Sequence, residues 1–251
     1  FLSFAKTKWK RSPRFVLLVG DASFDPKNYY GFGYWDFVPT KLIDTQYLET
    51  ASDDWFVDSN DDGLPEMAVG RLPVRTLEEA NILVSKTLTY ERTGAQRVAL
   101  LVADKIEWDD DFDFEGGSEE VRNVLPSSLM ASKIYRSQFS DDSQAKAVLL
   151  GSINGGSLLV NFIGHGSLDM WRGMLSSEDV AGLTNRGLPF FINMTCLNGF
   201  FQDPYMDSLA ETLVKAGSGG AIGVWTSSGV TEPANQAPMN KEFIKLLFDG
   251  K

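Results

Sequence analysis

The apolar residues of this chain fall into short continuous runs with longer mixed segments between them. Phe15 to Val19, Val98 to Ala103, Leu158 to Ile163, Phe190 to Met194 and Ala221 to Val224 are rich in Val, Ile, Leu and Phe. Runs of that length and composition predict strands buried on both faces. Helical patterns lie between them. Thr76 to Arg92 opens with a capping box, Thr76 with Glu79, and sets Ala80, Leu83, Val84, Thr87 and Leu88 on one stripe. Ser118 to Met130 begins with Glu119 and Glu120, which suit a helix N-terminus; Ser140 to Leu150, Ser177 to Leu183 and Asp207 to Lys215 follow the same logic. Strand alternating with helix predicts an α/β fold with a mostly parallel sheet flanked by helices.

Asp21 to Val69 breaks the pattern: it is rich in aromatics, Asp, Gly and Pro, and reads as a long excursion. A joint near Gly94 divides the expected organisation into a smaller α/β subdomain, residues 1–94, and a larger one, residues 95–251. With 251 residues, the chain is long enough for both to have real cores. No apolar run of membrane-spanning length occurs, and the chain opens on Phe1 without an initiator Met, as a piece of a longer precursor would.

The formal net charge of −11 argues against a nucleic-acid partner and suits cations, either metal ions or basic peptides. Much of it is local, at Asp58 to Asp62 and Asp109 to Asp113. The single cysteine rules out an internal disulfide.

That cysteine and the single histidine occupy equivalent places. One predicted strand runs into Gly164-His165-Gly166, and the next into Thr195-Cys196-Leu197-Asn198-Gly199. One crossover separates them, so both strands point the same way and His165 and Cys196 reach the carboxyl edge of the sheet, where open α/β sheets bind ligands. A thiol beside an imidazole is a nucleophile with its base. The N–H groups of Gly166 and Cys196 are candidates to cradle an oxyanion. The bland alternative is a core cysteine and a satisfied loop histidine.

These segments resemble a known family. Gly164-His165-Gly166-Ser167 with Trp171, and Cys196-Leu197-Asn198-Gly199, are similar to the catalytic segments of the gingipain family of caspase-like cysteine peptidases. Phe15 to Asp21 and Glu66 to Leu72 resemble its early strand and the segment before its long helix. The resemblance implies a caspase-like sheet, a Cys–His dyad hydrolysing peptide bonds through an acyl-enzyme, a secreted or cell-surface location and, in several members, calcium. It implies protein or peptide substrates, and a C-terminal end at Lys251 short of where relatives continue. A subset of the family are transpeptidases of secretion systems, a sortase-like use of the same dyad. An inactive calcium-stabilised surface module is the third reading.

The family also implies a carboxylate behind the histidine, for which Asp104 is the candidate, and an acid in the specificity pocket. The chain's acidity and the Asp109 to Glu115 loop favour a basic side chain before the scissile bond, with Glu115 the candidate partner and Asp113 the alternative. Trp171 and Trp225 are candidate cleft walls, core packing being the alternative. Finally, Asp58-Ser59-Asn60-Asp61-Asp62-Gly63 has oxygen side chains at alternate positions followed by a glycine, the opening of an EF-hand-type loop. Asp58, Asn60 and Asp62, the Leu64 carbonyl and Glu66 would be its ligands. The closing position holds Val69, so Asp53 or Asp54 would close it. The expectation is structural Ca2+ and no organic cofactor.

Overall fold

The structure, a computed structural model of the chain, describes residues 1–92, 96–109 and 111–249. The expected joint at Gly94 lies outside the described residues. In chain order the elements are α1 (Leu2–Lys8), β1 (Phe15–Val19), β2 (Lys41–Asp44), β3 (Glu49–Ser52), β4 (Ala68–Leu72), α2 (Leu77–Tyr90), β5 (Val98–Ala103), α3 (Phe114–Val124) and β6 (Met130–Tyr135). They continue with α4 (Asp142–Asn154), β7 (Leu159–Ile163), β8 (Met170–Trp171), β9 (Leu175–Ser176), α5 (Ser177–Val180), β10 (Phe190–Met194), α6 (Leu209–Lys215), β11 (Gly223–Thr226) and α7 (Pro233–Phe248).

The main sheet has five parallel strands in the order β11-β10-β7-β5-β6. Because strand side chains alternate, β5 feeds two cores. Leu100 and Val102 pack with Leu149 and Ile153 of α4 and Leu209 and Leu213 of α6. Ala99, Leu101 and Ala103 pack with Phe114 and Val121 of α3 and Ile244 of α7. Inside this core, Asn161 of β7 and Asn240 of α7 exchange two amide hydrogen bonds, at 2.7 and 3.1 Å.

The first run departs from expectation. β1 pairs only with β4, in a two-stranded parallel sheet, and its alternate residues Phe15, Leu17 and Val19 are exposed. So it is covered on one face, not two. Val84 and Leu88 of the α2 stripe are about half exposed for the same reason: the helix packs mainly on α6. The capping box at Thr76 and Glu79 is formed as read.

α3 starts four residues before the expected Ser118, because the Asp113 carboxylate accepts from Gly116 N at 2.8 Å and caps the helix there. Gly116 and Gly117 sit in its first turn, where Gly117 lets the helix close onto Ile163. The helix then ends at Val124, before Pro126 and short of the expected Met130, which instead opens β6. The run at Ala221 becomes a strand only from Gly223; Ala221 N is held by Leu213 O of α6 at 2.9 Å, after a turn at Gly220 with φ +79°.

Within the excursion, β2 and β3 form an antiparallel hairpin. Arg71 pins its base, gripping Asp53 with both Nε (2.7 Å) and Nη2 (2.8 Å) and donating to the carbonyls of Gly20 and Val38. The hairpin leans on the segment after β11: Ser228 Oγ donates to Ala51 O at 2.7 Å, and Thr50 Oγ1 donates to Ser228 O. A cleft of about 940 Å³ runs between β4 and β11, with Thr231 among the residues that line it.

Candidate active site

The register of β7 against β10 positions the site. Ile163 pairs with Met194, and Gly164 N donates to Met194 O at 3.2 Å. His165 and Cys196 each stand two residues beyond that pair, at matched positions past the carboxyl ends of adjacent parallel strands, which are spaced by roughly 4.8 Å.

Both turns are locally forced. A Cβ on Gly164 would lie 2.4 Å from the Asp104 Cβ, and one on Gly166 would lie 2.5 Å from Thr195 Oγ1, so the histidine loop fits only with glycine on either side. After the cysteine, Leu197 adopts φ +60°, a left-handed conformation that a branched residue rarely takes. It turns the chain sharply and leaves the Cys196 side chain at the edge. Asn198 then ties the two loops together. Its amide donates to the carbonyls of Ser167 and Met170, and its Oδ1 accepts from Trp171 Nε1 at 2.8 Å.

Among the described residues, the imidazole makes one side-chain hydrogen bond. His165 Nε2 lies 3.0 Å from Asp111 Oδ1, and the ring sits edge-on between Trp108 and Phe114, at 5.5 and 5.1 Å. Among the described residues nothing bonds to Nδ1, the nitrogen then left to face the thiol. Burial pushes the Asp111 carboxyl up, but the amides of Glu107 and Trp108 and the bond to His165 outweigh it, so the group stays below the usual carboxylate range. Arg172 stacks on Trp108 at 4.2 Å and closes this side.

The Cys196 sulfur contacts Thr231: its N–H at 3.5 Å, its carbonyl at 3.6 Å and its hydroxyl at 3.7 Å. Among the described residues, thiol and imidazole make no hydrogen bond to each other. Catalytic contacts of this kind commonly tighten only around a substrate. Neither Gly166 N nor Cys196 N donates to a described residue, so both N–H groups are available to an incoming oxygen.

The model of peptidase family C25 matches residues 1–251, the whole chain. The chain belongs to peptidase family C25. Two curated relatives are gingipain R2 and gingipain R1 of Porphyromonas gingivalis, each 26% identical over 211 residues, or 80% of this chain. The match takes up only 26% and 19% of their respective lengths, so the chain spans about a quarter or less of these relatives. The crystal structure of the Arg-specific cysteine proteinase gingipain R superposes with a TM-score of 0.77 at 24% identity, covering 98% of this chain and 57% of that one. The complex of the Porphyromonas gingivalis RgpB pro- and mature domains gives 0.80 at 23% identity, covering 100% and 58%. These likenesses establish the caspase-like fold.

Within this C25 chain, the other expected residues lie as follows. Asp104 is fully buried behind the histidine loop, but its Oδ2 receives the main-chain N–H of His165 at 3.2 Å, while the ring goes to Asp111. The corrected assignment is physical: β5 ends at Ala103, so Asp104 lies level with the backbone of the His turn, whereas the following loop folds back over the ring. Asp104 Oδ1 pairs instead with Arg136 at 2.9 Å, and Arg136 also grips Asp142 through two bonds of 2.7 Å. Glu115 is bonded to the Ser137 hydroxyl, past the end of β6 and so three strands from Cys196. Asp113 caps α3.

Trp171 is not a cleft wall. It is wholly buried and stacks on Phe162 at 4.3 Å. Trp225 is half-buried on β11 and stacks on Phe243 of α7 at 4.0 Å.

In the acidic turn, the Asp58 carboxylate accepts from the amides of Asp61 and Gly63, both at 2.8 Å. Asn60 Nδ2 donates to Asp62 Oδ2 at 2.9 Å, and Asp62 Oδ1 accepts from Leu64 N. Glu66 turns away to Ser59 and to Lys6 at 2.8 Å, and its carboxyl is lowered to about 2, first by Lys6 and then by Ser59. Asp53 is held by Arg71. Among the described residues no three acidic, His or Cys side chains converge on one point.

The sequence reading missed Asp111, Thr231 and the approach of the hairpin. Only Asp111 carried a signal: it lies between Trp108 and Phe114, two aromatics unusual in a solvated acidic loop.

Proposed function

We propose that the chain is a cysteine endopeptidase acting through Cys196 and His165. The observation that carries this reading is the β7–β10 register, which sets the two residues at matched strand ends. His165 takes the proton of the Cys196 thiol as the sulfur attacks the scissile carbonyl. The new C–S bond pushes an electron pair onto the carbonyl oxygen, for which the N–H groups of Gly166 and Cys196 are the donors. The pair returns, the C–N bond breaks, and the imidazolium gives its proton to the leaving amine. Water, deprotonated by His165, then cleaves the thioester. Asp111 fixes the ring and stabilises its charged form.

The test is mass spectrometry after treatment with a peptidyl acyloxymethyl ketone. We expect one adduct, on Cys196, formed in the native protein and not in His165→Ala. A native protein that takes up no label would overturn the reading. The substrates are accordingly peptides or proteins, and the location secreted or cell-surface, in keeping with the family. Among the described residues no helix is long and apolar enough to cross a membrane.

Calcium belongs to the proposal through the Asp58–Gly63 turn alone. The Asn60 amide, turned over, presents oxygen beside Asp62, and with Asp58 and the Leu64 carbonyl it would make a small oxygen set; Glu66 is excluded by Lys6. So few carboxylates imply weak binding, with a dissociation constant of roughly 10⁻⁴–10⁻³ M. About 10 mM calcium should then stabilise the fold by about 1.4–2.7 kcal/mol. We expect melting temperature to rise with calcium, and the rise to vanish in Asp58→Ala with Asp62→Ala. A calcium-independent melt in the native protein would remove the ion.

A further inference from the structure

In the proposed cycle the leaving amine collects its proton from His165. The residue that bears this amine therefore passes over whatever borders the imidazole on its open side. This placement rests on the peptidase reading above. Among the described residues, Asp111 is bonded to the ring, and Phe114 and Trp108 pack edge-on against it. Phe114 is buried, with 1% of its surface exposed, whereas Trp108 is 50% exposed. The open neighbour of the ring is thus an indole, with its centroid 5.5 Å away.

An exposed aromatic side chain needs no function by itself. This one is fixed from several sides. Trp108 O accepts from Asp111 N at 3.1 Å, and Trp108 N donates to Asp111 Oδ2 at 3.1 Å. The same carboxylate presents its other oxygen to His165, so indole and imidazole are set by one group. Arg172 stacks its guanidinium on the indole at 4.2 Å. Its own N–H donates to the His165 carbonyl at 2.9 Å, which anchors the stacking partner to the histidine turn.

We infer that Trp108, clamped by Arg172, is a specificity residue: it forms the floor of the subsite for the first residue after the scissile bond and selects an apolar or aromatic side chain there. A flat ring already held in place loses little freedom when a side chain packs on it. Arg172 is not the recognition group. Glu107 Oε2 already stands 3.4 Å from its Nη1, so an incoming anion would compete with a carboxylate in place.

The experiment treats a synthetic peptide library of randomised sequence with the native protein and maps the cuts by mass spectrometry. Immediately after the cut, Phe and Leu should be favoured over Gly by about tenfold, the low end for an apolar pocket. Trp108→Ala should lose this preference and keep the preference at the position before the cut. Trp108→Phe should retain most of it, and Arg172→Met should weaken it. Unchanged melting curves would confirm folding. Equal preference after the cut in native protein and Trp108→Ala, or none in the native protein, overturns the subsite alone. A uniform loss of rate in Trp108→Ala with the preference intact does so too, because the indole would then only support the histidine. Absence of any cut by the native protein overturns the peptidase reading, and the subsite with it.

Discussion

Cys196→Ala is expected to abolish peptide hydrolysis, and His165→Ala to lower kcat by at least about 10³, because nucleophile and base act as one unit. Both proteins should melt as the native one does: Cys196 is half-buried, and the His165 side chain is 35% exposed. Asp111→Asn is the more informative change. It keeps the shape beside Nε2 and removes the charge, so the ring loses its orientation and its imidazolium loses stabilisation. A rate loss of about 10²–10⁴ is expected, by analogy with other carboxylates behind a catalytic imidazole. Asp104→Asn should cost less rate than Asp111→Asn, because Asp104 meets the backbone of His165 and not its ring. A larger loss of kcat in Asp104→Asn than in Asp111→Asn would reverse the assignment.

Arg136→Met is expected to be the most destabilising single change near the site. Asp104 has no exposed surface, and Arg136 is its cationic partner at 2.9 Å. Without it, the carboxylate is left buried with only the N–H groups of Lys105 and His165. Stranding one member of a buried pair typically costs about 3–5 kcal/mol. Denaturant unfolding should show the midpoint falling at unchanged slope. Adding Asp104→Leu to Arg136→Met removes the stranded charge and should restore most of that stability. The doubly substituted protein should still turn over slowly, because His165 N has then lost its acceptor. An Arg136→Met midpoint equal to the native one would mean that Asp104 is solvated.

How far the sequence could be read depended on the range of the contacts involved. β5, β7 and β10 were legible to within a residue because strands buried on both faces are apolar at nearly every step, with one Asn each in β7 and β10, and the Thr76 cap because it is local. β6 was not: as an edge strand it carries Ser132 and Lys133, which break the apolar run. The start of α3 was hidden by two glycines, one closed over by the Asp113 cap and the other packed on Ile163. At the site, His165 and Cys196 could be paired because one crossover joins their strands. Asp111 could not be assigned to the ring, because nothing local distinguishes it from the acids around it. Thr231 and the β2–β3 hairpin belong to contacts that no spacing rule reaches.

Those contacts also bear on the order in which the site is assembled. The histidine and cysteine turns are joined by the Asn198 bonds, which span about 30 residues. The loop that meets the sulfur is fastened to the hairpin by bonds closing 177 to 185 residues of chain. Each doubling of a closed loop adds only about 0.6 kcal/mol, so such distance costs little equilibrium stability. It weighs more heavily on rate, since long-range contacts form slowly. During folding or synthesis, a protein with its parallel sheet complete would still lack one wall of its cleft. Competence to cut would therefore trail the acquisition of structure, and the delay would be set by a hairpin that contains neither member of the dyad.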